Sequence, residues 1–167
     1  NRIFGNDSPN GDWDSESHIL HAAYKIKGIG VVKGYGFLLD FEDDSPANSN
    51  ASYGISLKGK REYAGYGFHY YGEYAHQEDY GSNTLEYEAD YYHLALGVSK
   101  SGLKTTVGYE VLGADDDTAG RFRTPLATLH KFNGFADKFL VTPVNGLEDF
   151  YIDVTYKVKN APGSLAI

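Results

Sequence analysis

The chemistry of this sequence sits on ionisable residues that occupy alternate positions in otherwise small or apolar stretches. Lys25, Lys58, His69, Glu73, Lys104, Glu110, Asp153 and Lys157 make up this set. Read with period two, the side-chain period of a strand, each falls on the side opposite a row of aromatic or branched residues. Charges of both signs on one face suit a polar solute better than a simple ion sieve. Catalytic readings find less support. His69 and Glu73 share a side, but two strand steps put them about 13 Å apart, too far for direct proton exchange. His18 and His21 point to opposite sides and so do not share a metal. Gly28, Gly30 and Gly34 lack the spacing and the following helix of a phosphate loop, and no G-x-S-x-G elbow is present. Asp12, Asp14 and Glu16 alternate as in a calcium loop but lack its glycine and terminal glutamate; with Asp115, Asp116 and Asp117 they read as solvated loop acids. The sequence thus predicts no enzyme, no metal site and no cofactor.

The elements that would position these residues are strands. In residues 63–75, Tyr66, Phe68 and Tyr70 fall on one side, and Gly67, His69, Tyr71, Glu73 and Ala75 on the other. Glycines on the non-aromatic side suit a curved wall or a crowded interior better than a solvated sandwich face. Six further stretches alternate. Leu20, Ala22, Tyr24 and Ile26 form one row; Ile29, Val31, Tyr35, Phe37, Leu39 and Phe41 form a second, interrupted by Lys33. Tyr53, Ile55 and Leu57, then Tyr92, Leu94, Leu96 and Val98, then Leu103, Thr105, Val107, Tyr109 and Val111, and finally Phe150, Ile152, Val154, Tyr156 and Val158 continue the pattern. All five prolines lie outside these stretches, as ladder hydrogen bonding requires.

Connections alternate short and long. Short turns are expected at Gly28, at 59–62 and at 99–102, and polar loops at 1–17, 42–50, 76–84 and 113–146. Short turns on one rim and long loops on the other are the habit of outer-membrane barrels. The longest loop, 113–146, is expected to hold a helix of about two turns starting at Thr124-Pro125 and ending at Asn133-Gly134. If the loop folds into the barrel mouth, Thr124, His130, Lys131, Asn133, Asp137 and Lys138 are the residues that would constrict it.

Composition bounds the alternatives. A chain of 167 residues with 15% aromatic content, 15 tyrosines and no cysteine excludes a disulfide framework and a thiolate metal site. The net charge of -8 argues against nucleic acid. No apolar run reaches the roughly 20 residues of a membrane helix, which leaves membrane strands open.

Several strings carry a resemblance. YEVLGADD at 109–116, FRTPLATLHKFNGFADKFL at 122–140 and TPVNGLEDFYIDVTY at 142–156, with the opening NRIFGNDSPNGDWDSESH and the GYGFLLDFED segment, resemble the C-terminal part of the proteobacterial porin-like, alginate-export family. The resemblance spans nearly the whole chain. It implies an outer-membrane β-barrel of a Gram-negative bacterium that conducts or exports a polar solute, with acidic carbohydrate as one candidate. Family members are longer and end in a strand closing on an aromatic residue, whereas Ile167 ends a polar segment, so this chain is expected to be part of a larger barrel.

The reading is therefore an all-β, antiparallel up-and-down meander of about seven strands in a single domain, 1–167. Its expected partners are outer-membrane lipid, a polar small molecule or oligosaccharide, and the rest of the barrel or other chains at the edge strands. The alternative is a soluble β-barrel that binds a ligand inside its aromatic faces. The rows Leu20/Ala22/Tyr24/Ile26, Tyr35/Phe37/Leu39 and Ile152/Val154/Tyr156 are expected to share one side of the sheet, and rows on opposite faces would sink the barrel reading. Tyr66, Phe68 and Phe37 are expected to face lipid. The strands at 18–27 and 150–158 are expected not to close on each other.

Overall fold

The computed structural model describes residues 14–42, 45–126, 141–157 and 165–166. One antiparallel sheet takes its strands in chain order. They are β1 (Glu16–Ile26), β2 (Gly30–Asp40), β3 (Asn50–Tyr63), β4 (Tyr66–Asp79), β5 (Glu88–Lys100), β6 (Leu103–Leu112), β7 (Leu147–Tyr156) and the two-residue β8 (Leu165–Ala166). A 3-10 turn at Pro46–Asn48 is the only helical element among the described residues. The sheet is open: β1 has one neighbour, and β7 pairs with β8 only at Thr155 and Tyr156. The expected non-closure of the first and seventh strands holds.

The turns follow the expected alternation with shifted edges. β3 runs on to Tyr63, so the turn expected at 59–62 lies at Ala64-Gly65. Both of its residues have positive φ, as do Ser101-Gly102 between β5 and β6, a twist that matches the strands it joins. β4 continues to Asp79 through residues expected to be loop, and β1 begins at Glu16, inside the expected opening loop. Residues 1–13, including Trp13, lie outside the described residues.

Register fixes which side chains share a face. Residues directly opposite in a ladder point the same way, so pairing Lys25 with Val31, Val31 with Lys58, Lys58 with Tyr71, and Tyr71 with Ala95 carries one face across five strands. That face, called inner here because the long loop folds onto it, holds the odd positions of β1, β2, β4, β5 and β7 and the even positions of β3 and β6. The outer face holds Leu20, Tyr24, Ile55, Tyr66, Phe68, Leu94, Leu96, Val107, Phe150 and Ile152, all exposed. Leu20 is 75% exposed, Phe150 69% and Leu96 64%. Among the exposed large apolar residues of the described strands, Ile19 alone lies on the inner face.

One expected row is on the other side. Leu20 and Ile152 share the outer face, but Tyr35, Phe37 and Leu39 stand on the inner one, opposite Gly54, Ser52 and Asn50. Phe37 therefore does not face outward. Ile29 belongs to the turn and Phe41 follows the strand, buried. The physical reason is packing: the inner apolar residues at this rim form a small core beneath the long loop. Ala75, Tyr87, Ala89, Leu112 and Phe122 are its buried members, with Tyr35, Tyr91 and Leu147 against them. The expectation that the three rows share a face, set as a condition of the barrel reading, therefore fails at β2; the outer residues of β2 are instead Val32, Gly34, Gly36 and Leu38, apolar or small like their neighbours.

Candidate solute-lining face

Every strand residue expected to line a pore lies on the inner face: Lys25, Lys58, His69, Glu73, Lys104, Glu110 and Asp153. Lys157 follows β7, its amide donating to Gly102 O at 2.9 Å, and lines a groove at the short-turn rim with Lys60 and Lys104. Lys33, Lys60, Glu62, Asp79 and Asp149 join the same face unannounced. Five strand lysines (25, 33, 58, 60, 104) thus face six carboxylates (62, 73, 79, 110, 149, 153). The balance is mixed, as the alternation implies.

Tyrosines fix the carboxylates in the middle of this face. Tyr35 donates to Glu73 Oε1 at 2.7 Å from two strands away, and Tyr71 donates to Glu73 Oε2. Tyr91 donates to Glu110. Tyr35 reaches across β3 because the residue beneath its ring is Gly54, where a Cβ would lie 2.2 Å from the ring carbon Cζ; Gly108 makes the same room for Tyr151, at 2.1 Å. His93 Nε2 and the Tyr151 hydroxyl share a hydrogen bond at 2.9 Å, and the His93 ring stands edge-on to Tyr71. Tyr71, Glu73, Tyr91, His93, Glu110 and Tyr151 line a cavity of about 680 Å3 with Lys33, Lys58, Lys104, His69 and Asp149. His69 Nε2 meets Ser99 Oγ at 3.0 Å rather than any carboxylate.

The described part of the long loop crosses the inner face. Residues 113–122 close on themselves, with Phe122 N donating to Gly113 O and Asp115 N to Gly120 O. Asp115 caps this turn by accepting from the amides of Asp117 and Thr118, and it also accepts from that of Glu88; these donors hold its carboxyl below the usual range. Phe122 then stacks near Tyr91 of β5, with ring centroids 5.4 Å apart. Arg123 is tied to β4 by Gln77, which is 1% exposed. The Gln77 amide accepts from Arg123 N at 2.6 Å and donates to Arg123 O at 2.9 Å, the exchange a strand neighbour would make. It also donates to Ser52 and Asn50 and accepts from the Tyr87 hydroxyl. Burial pushes the Tyr87 phenol up to about 12 and holds the Arg123 guanidinium below its ordinary value, where the nearby charge of Arg121 adds to the effect. Arg123 Nη1 reaches Asn48 Oδ1 at 3.1 Å, so the loop spans from β6 to the start of β3.

Beneath this crossing lies a second cavity, of about 580 Å3, lined by Ile19, Phe37, Leu39, Glu73, Glu110, Thr124 and Leu126. Of the expected constricting residues, Thr124 borders it; His130, Lys131, Asn133, Asp137 and Lys138 lie outside the described residues, as does the expected helix beyond Leu126, while 125–126 form a turn. Gln77, Asn50 and Tyr87 were missed from the sequence. Their polar side chains at a strand end look like ordinary loop-edge residues until a partner 46 positions away is in place.

The outer face has its own polar fringe. Its charged residues stand within three positions of one or other strand end, and Tyr74 and Tyr92 donate to Asp90 while Tyr109 donates to Glu148. At the opposite rim Lys100 Nζ sits 4.0 Å from the centre of the Tyr66 ring. In comparison with known proteins, no family model, no curated protein and no solved structure matches the chain.

Proposed function

We propose that this chain forms part of the wall of an outer-membrane β-barrel of a Gram-negative bacterium, a porin-like channel or exporter for polar solutes. The observation that carries the reading is the inversion of the sheet: exposed Leu, Ile, Val and aromatic side chains cover the outer face, while Asn50, Ser52, Ser56 and Gln77 are buried on the inner one. In water such an outer face is a large apolar patch; in lipid it is the expected surface. Along β4 the uncharged outer row from Tyr66 to Tyr74 is about 27 Å long, or about 21 Å tall at a tilt of 40°, close to the roughly 25 Å band of membrane barrels. Tyrosines with hydroxyls on Asp90 and Glu148 then sit where lipid meets water. The open edge of β1 and the free edge of β7 carry unpaired backbone groups that cost several kcal/mol each in hydrocarbon, so further strands, from the same polypeptide or other chains, pair with them. The long loop narrows the lumen at one rim. Alginate or another acidic carbohydrate, implied by the family resemblance, draws no particular support from an inner face of mixed charge.

The test is reconstitution. This chain should float with liposomes, and the barrel completed by the strands that pair with its two edges should give discrete conductance steps in a planar bilayer. Monomeric protein that stays dispersed in detergent-free buffer overturns the reading in favour of a soluble ligand-binding barrel.

A further inference from the structure

Lys33, Lys58 and Lys104 line the same cavity as Glu73, Glu110 and Asp149, yet no ion pair joins any lysine to any carboxylate among them. The carboxylates of Glu73 and Glu110 are held instead by tyrosine hydroxyls, and both residues line the cavity. Opposite charges kept apart in one cavity are attracted to a ligand that brings both complements. Register gives the spacing. Lys33 lies opposite Ser56, Ser56 opposite Glu73, Glu73 opposite His93, His93 opposite Glu110, and Glu110 opposite Asp149. Lysine and first carboxylate are two strands apart, roughly 9.6 Å between backbones. An extended tripeptide spans about 10 Å.

We propose that this row is a binding station for a small zwitterionic solute of about tripeptide length, its amine at Glu73 and its carboxylate at Lys33 and Lys58, with Glu110 and Asp149 further along the row adding negative field on the amine side. The station rests on the channel reading for the solute's route, though its occupancy is measurable without conduction. A polyanion gains at the lysines and is repelled by the three carboxylates; a neutral solute leaves both sets uncompensated. A ligand with separated ends satisfies each.

The experiment uses four probes of one backbone: triglycine, N-acetyl-triglycine, triglycine amide and the doubly blocked peptide. Binding to the detergent-solubilised protein is read by saturation-transfer NMR titration, and conductance by planar bilayer recording. Free triglycine should bind roughly tenfold more tightly than either singly blocked form, each blocked end removing one charge-assisted contact. Glu73→Gln should reduce the preference for a free amine and Lys33→Gln the preference for a free carboxylate. Lys33 makes no hydrogen bond among the described residues, and glutamine at 73 is isosteric and keeps an oxygen for one of the two tyrosine hydroxyls, so both variants should keep the far-UV spectrum of the parent. Four affinities within twofold of one another, or preferences unmoved by both variants, overturn the station. Binding in the expected order without conductance keeps the station and overturns the channel; conductance with flat binding does the reverse.

Discussion

Replacing Gln77 with leucine keeps the volume of the side chain and removes its polar contacts: the two amide hydrogens are shared among Asn50 at 3.2 Å, Ser52 at 2.9 Å and Arg123 O at 2.9 Å, and the amide oxygen accepts from Tyr87 at 2.9 Å and Arg123 N at 2.6 Å. Not all of that falls on the loop. Ser52 still donates to Asn50 Oδ1 at 2.8 Å, so the β3 end of the network survives. The loop loses its two bonds at Arg123 and the support of Tyr87, three contacts at about 0.5–1.5 kcal/mol each. Staying in place would leave the Arg123 amide and carbonyl unpaired, so the loop should lift instead. A loss of about 2–4 kcal/mol multiplies the lifted population by roughly 30 to 1,000. Trypsin reads this directly, because Arg121 and Arg123 flank the latch and cleavage follows the open population when opening is fast. Cleavage after these arginines should rise by at least thirtyfold on the low end of that range, while the far-UV spectrum stays unchanged. Gln77→Glu, which keeps the acceptor and loses the donors, should fall between. Cleavage rates within threefold of the parent in an intact sheet would refute the latch.

Three further outcomes follow from the geometry. Leu96→Arg on the outer face should destabilise the lipid-inserted protein by about 2–4 kcal/mol, whereas Ala95→Arg on the inner face should cost far less; equal costs in urea unfolding from liposomes would reverse the facing. Gly108→Val should drive Tyr151 off the wall at about 1–3 kcal/mol and break its hydrogen bond with His93, seen as a changed His93 imidazole resonance. Because amide donors lower the folded carboxyl pKa of Asp115, its stabilisation of the 115–118 turn is present above the ordinary aspartate value of about 3.9 and is lost as pH falls through the folded value. Amide exchange at Thr118 should therefore gain protection loss only in acid, and Asp115→Asn should flatten that pH dependence.

Alternation made the faces of β3, β4, β5, β6 and β7 legible, because their outer rows are large and their inner rows small or charged. β2 defeated the same reasoning. Its rows are Val31, Lys33, Tyr35, Phe37, Leu39 and Val32, Gly34, Gly36, Leu38, and the bulkier one looks like the lipid side. Lys33 was the signal for the true facing, since one lysine in mid-strand costs more in lipid than several glycines. The bulky row is inner because a loop from beyond β6 packs over it, a contact that periodicity does not encode. Strand ends were misjudged for a related reason. Lys60, Arg61 and Glu62 look like a turn, but they pair with His69, Phe68 and Gly67 to lengthen the hairpin.

The strand order has a consequence for assembly in time. Closing β3 on β4 or β5 on β6 orders a two-residue turn, whereas closing β7 on β6 must first draw in the 34 residues between Leu112 and Leu147. Chain-closure entropy makes the latter costlier by about 2.5 kcal/mol, before any contact rewards it. The tight hairpins should therefore form early and β7 dock late, with the apolar outer faces of the hairpins available to lipid before the sheet is complete.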